Sequence, residues 1–223
     1  KFLVQEVKVQ LKDGQKLTFV CTNYASAARA RELYSKEPQT IRWIDSFKSE
    51  DVFWDIGANI GTYSLYAAQR HGLSVVAFDP LYANFAALMG NIVINNLEDR
   101  ISAYCLALTD RTHADTLNIA SDRARAEDLP LFSHAGSSGN IFGRTINQMG
   151  LNFEPTAKLS VLGASIDDLI STYQLPMPSH LKIDVDGNEL EILRGGERLI
   201  LANRLKSLSI EIEESVTGRA NDI

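Results

Sequence analysis

Cysteine is scarce in this chain. Only Cys21 and Cys105 occur, far apart and without a Cys-x-x-Cys pair. That excludes a disulfide framework and a Cys-rich zinc site, and makes a reducing, cytoplasmic setting the expectation. The four histidines, His71, His113, His134 and His180, show no two-His metal spacing. No stretch approaches ~18 consecutive apolar residues, so no membrane span is expected. Positive charge is also short, with 22 Lys and Arg against 28 Asp and Glu for a net charge of −6. Such a balance speaks against nucleic acid or an anionic membrane as partner. There is no initiator Met and no signal peptide. The chain opens at Lys1 and stops at Ile223 without a terminating element, so it reads as part of a longer protein.

What is present is ordinary globular material, 45% hydrophobic and 22% charged over 223 residues, enough for one large domain with a small appendage. Residues 1–50 read as that appendage. Apolar alternation through Val4, Val7, Val9 and Leu11, then Leu17 and Phe19, flanks Asp13-Gly14 and predicts a β-hairpin. Two short helices over 24–36 and 39–49 follow, separated by Pro38. From residue 51 to 223 strands and helices alternate, predicting an α/β domain with a doubly wound, mostly parallel sheet. Strands are expected at 51–56, 73–78, 101–108, 116–120, 158–162, 181–185 and 207–212. One helix is expected over 59–70, one with Phe85, Leu88, Met89, Ile92 and Val93 on its buried face, one over 166–173 and another over 189–202. Residues 121–157 break the rhythm and read as an acceptor-selecting lid with a hinge-like Gly136-Ser137-Ser138-Gly139.

The most informative stretch is Asp55-Ile56-Gly57-Ala58-Asn59-Ile60-Gly61, a strand running through a glycine turn into a helix. Ligands of doubly wound sheets sit beyond the strands' carboxyl ends, so this turn should wall a site. Its spacing is neither the Gly-x-Gly-x-x-Gly of dinucleotide folds nor a phosphate loop, since no Lys follows Gly61. Asp55 would repel a pyrophosphate but can bind an ammonium group. S-adenosylmethionine, with an ammonium, a sulfonium and no phosphate, suits the loop, with Gly57, Ala58, Asn59 and Gly61 at its turn. Asp79 ends the second strand, where an acid can accept both ribose hydroxyls.

A second dense segment runs from His180 to Glu189. Alternation places Lys182, Asp184 and Asp186 on one side of a strand that should neighbour the first. Lys182 is expected to pair with Asp184. Asp184 or Asp186 is the candidate general base toward a methyl acceptor, and His134 a second one. A divalent cation on Asp184, Asp186 and Glu189 is the alternative, as is an ion pair with Asp186 capping the next helix. No metal requirement is expected, because Lys182 competes with a cation.

These segments together resemble the FkbM family of S-adenosylmethionine-dependent methyltransferases. The resemblance covers Asp51 to Glu214 and rests on Asp55–Gly61, Ala77–Pro80, Ile166–Leu169 and Leu181–Glu189 running into Leu193–Gly196. The sequence departs from the family pattern at Asp79 and Asp186, where Glu is expected, and at Asn188, where a small apolar residue is usual. The resemblance implies methyl transfer to a hydroxyl of a sugar, glycan or secondary metabolite. It also implies a closing pair of strands that this chain lacks. A non-catalytic cofactor-binding module and an NAD-dependent oxidoreductase are the competing readings.

Overall fold

The computed structural model describes residues 4–119, 135–136, 139–146 and 151–211. In chain order, β1 (Gln5–Gln10), β2 (Lys16–Cys21), α1 (Tyr24–Arg31) and α2 (Pro38–Ile44) precede the first crossover pair. That pair is β3 (Val52–Ile56), α3 (Thr62–His71), β4 (Ser74–Phe78) and α4 (Tyr82–Ile94). Next come β5 (Ile101–Tyr104), β6 (Ala107–Leu108), β7 (His113–Ile119), β8 (Asn140–Phe142) and β9 (Ala157–Ala164). The chain closes with α5 (Ile166–Ser171), β10 (His180–Ile183), α6 (Glu189–Gly195), α7 (Glu197–Leu201) and β11 (Ser207–Ile210).

Five strands form a wholly parallel sheet in the order β11-β10-β3-β4-β5. Alternation sends Phe53, Val75 and Ala77 into a core with α3, α4 and the hairpin. The same alternation sends Trp54, Ile56, Val76 and Phe78 into a second core with α5, α6 and α7. Both faces are covered, which is why β3 and β4 read as largely apolar, without regular polar alternation. The order reverses between β3 and β10, the switch point at which a crevice opens.

Not every strand joins this sheet. The expected run over 101–108 breaks after Tyr104, and β6 pairs with β9, not with the central strands. With β7 and β8 they make a separate, mostly antiparallel sheet of order β6-β9-β7-β8. The strands expected near 116–120 and 158–162 therefore exist but belong to this second layer. The expected helix over 189–202 is likewise two helices, broken at Gly195-Gly196 and with Asp167 accepting from Arg198 N at 2.9 Å and Leu199 N at 3.1 Å to cap the second.

The hairpin docks on α4 through backbone recognition. Asn91 Oδ1 accepts from Val20 N at 2.7 Å, and Asn95 exchanges bonds of 2.9 and 2.7 Å with Thr18 N and O. These amides occupy polar groups that the free edge of β2 would otherwise leave open. The buried face of α4 accordingly runs through Asn84, Leu88, Asn91 and Ile92, while Val93 is exposed. Pro38 is the first residue of α2, where its missing N–H costs nothing, not a spacer between helices.

At the sheet end opposite the crevice, His180 joins α2's neighbourhood to two strands. Its Nε2 lies 3.0 Å from Asp51 Oδ2 and its Nδ1 2.7 Å from Ser207 Oγ, which also accepts from Trp43 Nε1 at 2.8 Å. Burial pushes the imidazole's pKa down, and it stacks on Phe47. This cluster accounts for His180 without a catalytic role. Among the described residues no helix is long and apolar enough to cross a membrane.

Candidate active site

A cavity of about 290 Å³ opens over the carboxyl ends of β3, β4 and β10. Its wall carries Gly57, Asn59, Asp79, Asp184 and Asp186 from the expected set, together with Phe78, Leu106 and Leu108. The glycine turn is closed on itself. Gly57 N and Ala58 N both donate to Phe78 O at 2.9 Å, Asn59 N to Asp79 Oδ2 at 2.9 Å, Ile60 N to Asn59 Oδ1 at 3.0 Å and Gly61 N to Ala58 O at 2.8 Å. All five N–H groups are used inside the protein, so the turn offers none to a phosphate, unlike the cradles that bind pyrophosphate.

Gly57 is demanded by the fold. At φ +83°, a Cβ there would stand 1.9 Å from the carbonyl oxygen of Asp184, so the close approach is between turn and β10 backbone. Gly61 packs against Leu65 and Leu88 and, like Ala58, does not line the cavity. Both lie off the cavity wall and serve the turn.

Asp79 is buried, yet on the wall. Its Oδ2 accepts from Asn59 N and, at 3.2 Å, from Asn84 Nδ2, while Oδ1 accepts from Leu81 N at 2.9 Å. Two carboxylate oxygens offer about four acceptor positions, so capacity remains on Oδ1. Burial pushes its pKa up to about 7 against those three bonds.

Asp55 lies elsewhere than expected. It is buried beneath the turn, with Oδ2 accepting from Ser64 Oγ at 2.6 Å, and does not line the cavity. Its Oδ1 is buried with no hydrogen-bond partner among the described residues, and burial pushes its pKa up. Lys182 sits beside it in register on β10, buried over the Tyr63 ring, and donates to Asp184 Oδ2 at 2.5 Å. The expected Lys182–Asp184 pair is present. Lys182 is therefore a buried partner behind the wall, not a group facing an acceptor. Burial alone would raise Asp184, but the Lys182 ammonium, a hydrogen bond with Glu211 and the charge of Lys36 together outweigh it and hold the carboxyl well below the usual range.

Strand alternation stops at Ile183, and Asp186 turns to a different task. Its Oδ2 accepts from Gly139 N at 2.6 Å and Asn140 N at 3.1 Å, pinning β8 over the cavity. Asn188 Nδ2 donates to Phe142 O at 3.0 Å, and Arg144 reaches Gly187 O and Glu191. Glu189 accepts from Gly187 N at 3.0 Å. The cation set Asp184, Asp186 and Glu189 thus has two members turned to backbone donors.

The described parts of 121–157 are built into the wall. Asn140, Ile141 and Phe142 line the cavity. Gly136 N donates to Asn84 Oδ1 at 2.8 Å, and its carbonyl accepts from Arg29 Nε at 2.7 Å. Asn23 Nδ2 donates to Ala135 O at 2.8 Å. Gly136 and Gly139 are held by these contacts, while Ser137 and Ser138 of the expected hinge lie outside the described residues. His134 and the rest of the expected lid lie outside the described residues.

Four more polar residues reach the wall. Arg29 and Lys36 reach the wall from the N-terminal segment, Asn84 from α4, and Glu211 from the end of β11. Of these, Asn84 had a local signal, an amide among the apolar residues of α4, and Glu211 read only as an acid ending a strand. Glu211, Asp184 and Glu37 each bring a carboxylate oxygen within 4.8 Å of the others.

The model of the methyltransferase FkbM domain family matches residues 55–221. The chain belongs to this family. It is 26% identical over 219 residues to the hexuronic acid methyltransferase AglP of Haloferax volcanii, covering 92% of this chain and 72% of AglP. It is 27% identical over 157 residues to the 31-O-demethyl-FK506 methyltransferase FkbM of Streptomyces tacrolimicus, covering 66% of this chain and 60% of that protein. Among solved structures, an FkbM methyltransferase of Methylobacillus flagellatus aligns over 74% of this chain and 33% of that one, at 18% identity and a TM-score of 0.47.

Proposed function

We propose that this chain is an S-adenosylmethionine-dependent O-methyltransferase acting on a hydroxyl of a small molecule, sugar or glycan. The observation that carries the reading is the self-satisfied turn beside Asp79, which suits a nucleoside without phosphates. Asp79 would accept from the ribose hydroxyls, and Phe78, Leu106 and Leu108 would cover the adenine. The ammonium and sulfonium would meet the negative field of Asp79, Asp184 and Asp186. Asp55 would act from behind, fixing the turn through Ser64. Bound there, S-adenosylmethionine would supply a methyl group on positive sulfur together with its own leaving group. The protein's part is alignment of an acceptor oxygen, which is where proximity gives large gains.

Arg29 and Lys36 favour an acceptor carrying a carboxylate. They bring positive charge to a wall otherwise dominated by acids, and guanidinium recognises carboxylates well. The AglP likeness spans this region and points to a hexuronic acid. Cys21 and Cys105 are free thiols, and we place the reaction in the cytoplasm on that ground.

Calorimetry with S-adenosylmethionine tests the cofactor. Asp79→Ala should weaken binding by about 2–3 kcal/mol, roughly 30- to 150-fold. Equal affinity in both proteins removes Asp79 from the site, and tight NADH binding with no response to S-adenosylmethionine overturns the reading. Transfer of labelled methyl to methyl glucuronide but not to methyl glucoside is the expected acceptor pattern.

A further inference from the structure

We propose that Glu211 takes the proton of the acceptor hydroxyl, with Asp184 as its fixed anionic neighbour and Lys182 as the buried lock on Asp184. The inference rests on the O-methyl transfer reading and extends it to a residue outside the sequence-derived set.

The geometry is that of two carboxyl groups on adjacent strand ends facing one cavity. Glu211 follows β11 directly, with its N–H donating to Ile183 O at 3.0 Å, so it lies beside the end of β10. Glu211 and Asp184 both line the cavity and share a hydrogen bond. One oxygen of each, with one of Glu37, falls inside 4.8 Å. Like charges at this spacing cannot ionise independently. Which of them keeps the proton is decided by Lys182. Its ammonium touches Asp184 and is itself buried against Tyr63, so Asp184 is the member held as carboxylate. Glu211 then bears the consequences. The bond to Asp184 and partial burial, with the charges of Asp184 and Glu37, push its pKa up to about 8, and Lys36 opposes them. Two neighbouring acids driven apart in this way divide into a spectator and a proton-handling group.

The other acids of the wall have prior commitments. Asp79 holds the turn, Asp186 holds β8, and Glu189 accepts from Gly187 N at 3.0 Å; behind the wall, Glu37 accepts from Thr40 Oγ1 at 3.0 Å and Lys36 Nζ at 2.9 Å. Glu211 is also exposed enough to pass a proton on to water. In the reaction, the acceptor oxygen forms the new bond to the methyl carbon as the carbon–sulfur bond breaks. The bonding pair leaves on sulfur, giving a neutral thioether. The hydroxyl proton goes to ionised Glu211 and from there to solvent, leaving a methyl ether.

The test has one arm that needs no turnover. Carbon-13 NMR of glutamate-labelled protein, with Glu211 assigned by its loss in Glu211→Gln, should show a carboxyl titrating near pH 8. In Asp184→Asn that midpoint should fall. In the transfer assay with methyl glucuronide, kcat/KM should rise with pH to the same midpoint. Glu211→Gln should lose about 100- to 1000-fold in kcat while cofactor affinity stays within about threefold. Glu211→Asp should recover part of the rate, which a loss of packing would not allow. A Glu211 that titrates as an ordinary glutamate, or a Glu211→Gln protein with full turnover, overturns the assignment. A wild-type protein that fails to bind S-adenosylmethionine overturns the reading beneath it instead.

Discussion

Two sheets build the walls of one cavity, and they encode their contributions differently. The parallel sheet supplies Gly57, Asn59, Asp79 and Asp184 from strand ends and the turns that follow them. Each is fixed by its own few neighbours in sequence: an apolar run, a glycine, an acid. The antiparallel sheet supplies Ala107, Leu117 and Asn140–Phe142. Those residues arrive through pairings such as Leu117↔Phe142 and Leu117↔Leu159, which span tens of residues and leave no local mark. The difference is one of strain as well as of information. The parallel side depends on backbone approaches that nothing can relieve, whereas the antiparallel side rests on side chains that can move.

That contrast breaks first at its glycines. Gly57→Ala would force Cβ into the Asp184 carbonyl at φ +83°, and should cost about 3 kcal/mol or more, from backbone strain and overpacking together. Gly143, after β8, also has positive φ, +75°, but its nearest obstacle is the Asp115 carboxylate at 3.2 Å, a side chain that can swing away. Gly143→Ala should cost only about 1 kcal/mol. Urea melts of both variants decide the matter. Equal losses would mean that the two sheets constrain the chain alike.

The same division explains what could be read in advance. The doubly wound topology, the β3–β10 neighbourhood, the Lys182–Asp184 pair and the place of Asp79 follow from short apolar strands with acids at their ends. Asp55 and Asp186 illustrate where such reading stops. Both are acids near strand ends, but Asp55 lies within β3 and its alternation turns it with Phe53 toward α3 and Ser64, whereas Asp186 lies past Ile183, where alternation ends and the turn carries it up to β8. The Ile166–Leu169 block illustrates the same limit from another side: its Asp167 caps α7 and never reaches the cavity. Arg29 and Lys36 had no motif at all, and Glu211 read only as an acid ending a strand; all three are brought to the wall by the docking of whole elements.

Asn84 is where the two walls meet, and it sharpens the comparison with a smaller effect. Its amide nitrogen holds Asp79 and its oxygen holds Gly136 N. Asn84→Ala should weaken S-adenosylmethionine binding about tenfold, or ~1.4 kcal/mol. Loss of this donor also removes one bond that favours the charged carboxylate. The midpoint of the affinity–pH curve, expected near 7 from Asp79, should therefore move up. The sign is that of a raised acid. Native Asp79 keeps its proton between its unfolded value and about 7, so its contribution to stability is full below the unfolded value and fades as pH rises through that window. Calorimetry across pH 5–9 is the measurement. An unchanged affinity and midpoint would show that the insertion can be moved without touching the cofactor wall.

The smallest effect concerns metal. Glu37, Asp184 and Glu211 come close enough to suggest a cation site, and divalent ions favour such oxygen clusters. One of the three is already neutralised, because the Lys182 ammonium, itself buried, lies 2.5 Å from Asp184 Oδ2. Glu37 is likewise engaged by Lys36 at 2.9 Å. A divalent ion entering this cluster would have to approach a buried ammonium or expel its proton. Both routes oppose binding, since a nearby cation disfavours another positive charge. Methyl transfer should therefore be unchanged by EDTA, and the Glu211 titration unchanged by millimolar magnesium. Activity lost to EDTA and restored by magnesium would show that the three carboxylates act as ligands, and that Lys182 yields its place on Asp184 when the ion arrives.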